Sequence, residues 1–380
     1  MKRRIAIVGC GGMGGGHAIA IGSGTGNAVW GASSSKDLDS NVELHTKGDT
    51  DISKKLELAG VYDIDSERMK WASGMGYKCY ESFEAILEDT SVDIVLVATP
   101  NDSHKELSIR AMKAGKHVLC EKPVMMNSEE LEEVMKVSKE TGKVFYPRQN
   151  REWDRDFRII KKIYDEGLIG KCTRIESRVH GSRGIPGDWR GQKEYGGGMM
   201  MDWGVHLLDR MLVLVPEKVI SVYCQLSHVI SKEVDDGFTA YLTFESGLTA
   251  VVEVGTCNFI PLPLWYVTGN QGTVEIDDWM CHGKMVKLSS WEDKDAKPIL
   301  AGAGLTKTMA PREGNSLQEM ELPEVEFDNN ELYSNLVDVV NKRADQIVTQ
   351  EHALRVLRLM EAAMKSAESG RIVEFEKIEK

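Results

Sequence analysis

Cysteine is sparse in this chain, and what there is does not pair. Seven cysteines are scattered over 380 positions, an odd number with no Cys-x-x-Cys spacing. That excludes a disulfide scaffold and offers no zinc-site signal; reduced thiols and a cytoplasmic location fit instead. Long apolar runs are missing too, since none approaches the ~18 residues that span a bilayer. The opening "MKRRIAIVGCGG" joins basic residues to a short apolar run. Glycines interrupt it where a signal peptide would continue, so it reads as a first strand. Positive charge is also short. The formal net charge is -12, which argues against nucleic acid or an anionic membrane surface as the main partner. There is no internal repeat and no low-complexity tail.

What remains is an ordinary globular profile, 42% apolar and 28% charged, in a chain long enough for two domains. "RRIAIVGCGGMGGGHAIAI" reads as a strand, a glycine turn and a helix. Gly9, Gly11 and Gly14 fit the G-x-G-x-x-G spacing. The first permits a tight turn, the second lets backbone approach a pyrophosphate, and the third lets helix pack on strand. Further strands at "LELAGVYD", "VDIVLVATP", "KHVLCEKP" and "KVFYPRQN" alternate with helical patterns, the mark of a doubly wound parallel sheet. A capped helix is expected from Asn127 to Gly142. Asp63 ends the second strand, where an acid bonds ribose hydroxyls and repels a 2′-phosphate. NAD is therefore favoured over NADP, although Arg68 nearby softens the preference.

One spacing is unusual. Asp63 stands 49 positions after Gly14, where ~20 is the rule. The excess, about residues 22–55, is rich in Gly, Ser, Asp and Thr and reads as an inserted surface loop. Past Asn150 the pattern changes. An amphipathic helix is followed by strand-like runs, including a hairpin over "FTAYLTFESGLTAVVEV", and then by two late helices near Asn330–Ala344 and Glu351–Ser369. The expectation is a dinucleotide-binding unit over 1–149 and an α+β unit over 150–380 with a largely antiparallel open sheet.

The stretch "GGGMMMDWGVHLLD" puts Asp202 and His206 four residues apart behind a glycine run. On a helix the two share a face. Histidine suits base work near neutrality, and a carboxylate beside it orients the ring. The competing readings are a solvated helical pair and a core histidine. A metal site built on Asp202, His206 and Asp209 lacks the usual second histidine, so no metal is expected. Met199, Met200 and Met201 read as packing residues.

Taken together, "IVGCGGMG", "VATPNDSH", "AGKHVLCEKP", "GGGMMMDWGVHLLD", "TGNQGTVEID" and "SAESGRIV" make the chain resemble the Gfo/Idh/MocA oxidoreductase family over nearly its whole length. The resemblance implies an N-terminal Rossmann domain and a C-terminal sheet domain that supports a homo-oligomer. It also implies a catalytic trio of Lys122, Asp202 and His206. Around the cofactor it implies Gly9, Gly11, Gly12, Met13, Gly14, Asp63, Thr99, Pro100, Asn101, His104, Glu121, Lys122, Asn150, Trp189 and Arg190. Glu152 stands where the family usually has a second arginine, so of "RQNREWD" only Asn150 is carried over. The substrate, a small carbohydrate or polyol, would meet Lys122, Tyr195, Asp202 and His206. The expected reaction is NAD-dependent oxidation of a secondary hydroxyl of a sugar, glycoside or cyclic polyol, with glucoside C3 oxidation as its sharpest form. His206 would be the base, Asp202 its partner, and Lys122 the donor to the hydroxyl. The alternatives are a redox-neutral NAD-dependent glycosidase and a non-catalytic NAD-sensing regulator.

Overall fold

The structure is a computed structural model that describes residues 1–23, 50–291, 296–312 and 316–377. Five parallel strands form a first sheet: β1 (Arg3–Val8), β2 (Leu56–Tyr62), β3 (Ile94–Val97), β4 (His117–Cys120) and β5 (Phe145–Pro147), in the order β2-β1-β3-β4-β5. Every residue of the apolar run in β3 is buried, as a strand covered on both faces should be. The chain winds outward from β1 to β2, then returns past β1 to β3. That reversal opens a crevice at the carboxyl ends of β1 and β3, where open α/β sheets take ligands. Helices α1 (Gly12–Ser23), α2 (Ser66–Gly74), α3 (Phe83–Glu88), α4 (His104–Lys113) and α5 (Ser128–Thr141) link the strands. The side chain of Asn127 accepts the Glu130 N–H at 2.9 Å to cap α5, and Gly142 ends it with φ +66°. Of the expected inserted loop, residues 24–49 lie outside the described residues. Its far end is pinned, with the Thr50 N–H on Asp328 at 2.9 Å and Lys55 on Asp338 at 2.6 Å.

Helix α6 (Arg155–Asp165) leads into a nine-stranded sheet. A π-helical turn over Met200–Gly204 and helix α7 (Val205–Leu214) separate its first two strands. The strands are β6 (Cys172–His180), β7 (Val219–Ser227), β8 (Gly237–Phe244), β9 (Thr249–Gly255), β10 (Trp265–Gly269), β11 (Gly272–Ile276), β12 (Gly283–Leu288), β15 (Leu317–Met320) and β16 (Val373–Glu374). Between β12 and β15 a separate hairpin pairs β13 (Ile299–Ala301) with β14 (Gly304–Thr306). The sheet is antiparallel except where β6 runs beside β9. Its register opposes His180 to Gly255, Gly255 to Gly237, Gly237 to Ser227, Trp265 to Ser177, Ile276 to Trp265, and Gly283 to Ile276. The segments 181–199, 228–236, 256–264 and 277–282 therefore all leave one end of the sheet.

Two late helices tie the halves together. From α8 (Glu331–Val340), Leu332, Tyr333, Leu336 and Val337 pack into the core around Ile5 and Ile7 of β1. The chain thus returns from its second half to the first sheet. From α9 (Gln350–Ser369), Val356, Leu357 and Met360 join the core of the second sheet. Its Glu361 accepts the Ser128 N–H at 2.6 Å, and its Gln350 amide reaches the Phe145 carbonyl at 3.2 Å.

Candidate active site

The glycine turn shows why each glycine is needed. Gly9 ends β1 with φ +92°, and a Cβ there would stand 2.5 Å from the Ala98 carbonyl oxygen at the end of β3. A Cβ on Gly14 would overlap the Gly9 oxygen, whereas nothing lies within 4 Å of a Cβ on Gly11. One face of the turn is thus packed shut and another left open. Gly12 and Met13 begin α1, whose first N–H groups lack partners inside the helix and favour an anion. At the end of β2 the Asp63 carboxylate accepts the Cys10 N–H at 2.5 Å and the Asp65 N–H at 2.8 Å. It is held beside the turn as a fixed anion. This donor set fits a dinucleotide, with pyrophosphate at the turn and ribose hydroxyls at Asp63.

The loop after β3 is a latch between the halves. Thr99 and Ser103 hydroxyls meet at 2.6 Å, and Pro100 precedes a 3-10 turn over Asn101–Ser103. Buried Asn101 donates its amide to the Gly196 carbonyl at 2.9 Å. Gly196 has φ +74°, and a Cβ there would stand 2.6 Å from the Met126 sulfur. His104 is fully buried, with Nδ1 3.0 Å from the Pro123 carbonyl oxygen and Nε2 2.9 Å from that of Thr99. Burial lowers its pKa against the pull of the two carbonyls, and the neutral ring has one N–H to donate to one of them. Asn150 is buried just after β5.

Glu121 and Lys122 are adjacent and face different surroundings. The Glu121 carboxylate is sealed in, with His17 Nε2 at 2.6 Å, Arg148 at 2.8 Å and the Lys122 N–H at 3.1 Å. Burial pushes its pKa up, but Arg148 and His17 more than offset this and hold it at about 2. Burial and the Arg148 charge keep His17 neutral, at about 4. An ionised Glu121 only accepts, so His17 Nε2–H donates to it and Nδ1 takes the Tyr333 hydroxyl proton.

Past Glu121 the Lys122–Pro123 bond is cis. The Lys122 ammonium donates to the Asp202 carboxylate at 2.6 Å and to its carbonyl at 2.9 Å. Arg190 lies 3.4 Å from the other Asp202 oxygen, bonds Asp188 at 2.7 Å and sits over the Trp189 ring at 4.7 Å. Burial pushes the Asp202 pKa up, yet Lys122 and Arg190 bring it below the ordinary carboxylate value. Tyr195, half-buried, closes the short turn before Gly196.

His206 differs from the expected helical pair. Asp202 lies in the π turn, not in α7, and its carboxylate serves Lys122 and Arg190 rather than the ring. The wider turn, in which the Val205 N–H reaches back to the Met200 carbonyl, changes the angle between positions 202 and 206. Gly204 permits it, since a Cβ there would press on Met200 and Phe238. His206 is 5% exposed, and its Nδ1 has no partner among the described residues. Burial, then Lys122, Arg151, Arg210 and Arg148, drive its pKa well below the usual value. The ring is therefore neutral at pH 7 and able to take a proton. Asp235 holds the start of the π turn, its carboxylate accepting the Met200 N–H at 2.7 Å. Among the described residues no three His, Cys, Asp or Glu side chains cluster to hold a metal.

Residues 3–149 match an oxidoreductase family with an NAD-binding Rossmann fold, GFO/IDH/MocA, and residues 157–275 match the C-terminal domain of that family. The chain belongs to the Gfo/Idh/MocA family. An NAD-binding protein from Listeria innocua shares its fold with a TM-score of 0.86 at 46% identity, over 98% of this chain and 99% of that one. The scyllo-inositol 2-dehydrogenase (NADP(+)) of Bacillus subtilis is 27% identical over 77% of this chain and 82% of its own length. The myo-inositol 2-dehydrogenase of Thermotoga maritima is 31% identical over 52% of this chain and 60% of its own. Other curated relatives match over about half their length. Among the described residues no helix is long and apolar enough to cross a membrane.

In this member of the family the site also includes groups that the sequence reading passed over. Trp203 meets the His206 ring edge-on at 5.8 Å and Trp279 at 5.9 Å, with the Arg151 guanidinium 5.1 Å from the Trp203 ring. Trp279 follows β11, more than seventy positions away in sequence, and carries no motif. His17, Arg148 and Tyr333 were equally silent, because their partners are distant in the chain.

Proposed function

We propose that this chain is an NAD-dependent dehydrogenase that oxidises a secondary hydroxyl of a sugar, glycoside or cyclic polyol, with glucoside C3 oxidation as its sharpest form. The observation that carries the reading is the neutral His206, with an unpartnered ring nitrogen, beside the Lys122–Asp202 pair. His206 accepts the hydroxyl proton. Lys122 donates to the hydroxyl oxygen and stabilises the negative charge that grows there. Asp202 is a positioning group that holds the ammonium in place, and Arg190 braces its other carboxylate oxygen. The glycine turn, α1 and Asp63 hold the dinucleotide, and the loops of Thr99 and Glu121 shape its far end. When bound, the nicotinamide supplies the acceptor for the two electrons. Asp63, held by two backbone N–H groups, favours NAD over NADP by repelling a 2′-phosphate. The outer face of the second sheet, where Tyr241 is exposed beside Tyr223, is our candidate surface for a homo-oligomer.

The test is a screen of inositols, free sugars, sugar acids and glycosides with NAD, following both NADH and product mass, with His206→Ala alongside. The expected product lacks two hydrogens and is absent with the variant. Released aglycone without net NADH would replace the dehydrogenase with a redox-neutral glycosidase. Near-normal turnover by His206→Ala would remove the base assignment.

A further inference from the structure

The end of the second sheet that carries the reactive stretch exposes several large apolar side chains. Three of its loops expose Val229, Ile230, Phe259, Ile260, Trp279 and Met280, with Phe259 and Ile260 84% and 85% exposed. Two of these loops are tied to the segment that precedes the π turn. The Gly184 N–H bonds the Thr256 carbonyl at 2.9 Å, the Asn258 N–H bonds that of Gly181 at 2.8 Å, and the Lys193 N–H bonds Glu233 at 2.9 Å. The Met199 N–H bonds the Asp235 carbonyl at 3.0 Å, so the same framework holds the start of the π turn. Large apolar side chains left exposed around one end of a sheet mark something to be bound. Here they border the candidate base. From His206 the aromatic surface runs outward through Trp203 to the half-exposed Trp279, with Arg151 lying over both indoles at 5.1 and 5.9 Å. The family's C-terminal match ends at residue 275, so Trp279 lies just outside the residues that match spans.

We propose that the substrate is a glycoside with a flat apolar aglycone, and that Trp279, with Trp203 and Arg151, holds that aglycone beside His206. This rests on the dehydrogenase reading above. A free sugar or an inositol would leave the exposed apolar side chains of these loops unused. A flat ring stacks on indole at small cost in order and is screened from water by the neighbouring apolar side chains.

The experiment compares phenyl glucoside with methyl glucoside, by kcat/KM with NAD and by calorimetric binding to the NAD-loaded protein. The wild type is expected to prefer the phenyl glucoside at least ~10-fold in both. Trp279→Ala should bring the two substrates to within about threefold of each other. Trp291→Ala, an exposed tryptophan beyond the opposite end of β12, should keep the preference. No preference in the wild type, or one that survives Trp279→Ala, overturns the proposal. If neither glucoside is oxidised, the dehydrogenase reading fails for glucosides, and calorimetry still decides the subsite by the same ratio. A Phe259→Ser variant that lowers the mass in solution and leaves selectivity intact also overturns it, assigning these exposed side chains to contact between copies of the chain.

Discussion

Glu121 and Lys122 are neighbours in the chain and opposites in the fold. Glu121 is sealed, and its carboxylate is met by His17, Arg148 and a backbone N–H. Lys122, one residue on, reaches across to the second half of the chain, to Asp202 and the vicinity of a histidine with a nitrogen to spare. A satisfied buried network is rigid because any change strands a charge. An incompletely satisfied cluster is the part left to meet a ligand. Two adjacent charges thus divide the work: one fixes the loop and the other faces the chemistry.

The strongest way to break this comparison is to remove each charge in turn. Lys122→Ala should cut turnover ~10²- to 10⁴-fold while the melting temperature and dinucleotide binding stay close to wild type. Glu121→Ala should do the reverse first, costing ~3–5 kcal/mol of stability by leaving Arg148 without its buried anion. Thermal melts and cofactor titrations of the two variants would show whether the division is real; equal loss of stability in both would end it. Asp235→Asn sharpens the point at a third position. Burial raises the Asp235 pKa to about 6, above the unfolded value, so its ionisation weighs against the fold as pH rises through about 6. The amide keeps an acceptor for the Met200 N–H, so the variant should gain ~1–3 kcal/mol at pH 8 and little at pH 4. A gain independent of pH would contradict the assignment. The smallest effect expected is in cofactor choice. Asp63→Ala should weaken NAD ~10-fold and narrow its lead over NADP, read from paired binding constants.

Much of the fold was legible because local rules govern it. The apolar run of β3, the Asn127 cap, the Gly142 stop and the hairpin around Glu245 each depend on residues close in the chain. Gly14 was legible for the same reason, since a Cβ there would meet the Gly9 oxygen five residues back, whereas the crowding at Gly9 comes from Ala98 at the end of β3. What was not legible depends on distance. No local rule brings Tyr333 to His17 across 316 positions, returns α8 to the first sheet, or folds Trp279 onto Trp203. The spacing of Asp202 and His206 predicts an α-helical pair, and the structure instead puts Asp202 in a π turn with its carboxylate on Lys122 and Arg190. Periodicity does not announce the extra residue of a π turn, and that residue gives the carboxylate to Lys122 instead of the ring.

The central claim is that His206 stands neutral and available because burial and four cations suppress its protonation. The direct test is the pH dependence of kcat/KM for a substrate found in the screen, with Arg151→Gln beside the wild type. If the claim holds, activity persists as pH falls through 6.5 and is lost only well below it. Arg151→Gln, which removes one of those cations, should then move the acid limb upward. A wild-type limb centred near 6.5, the value of an unperturbed histidine, and unmoved in Arg151→Gln, would contradict it.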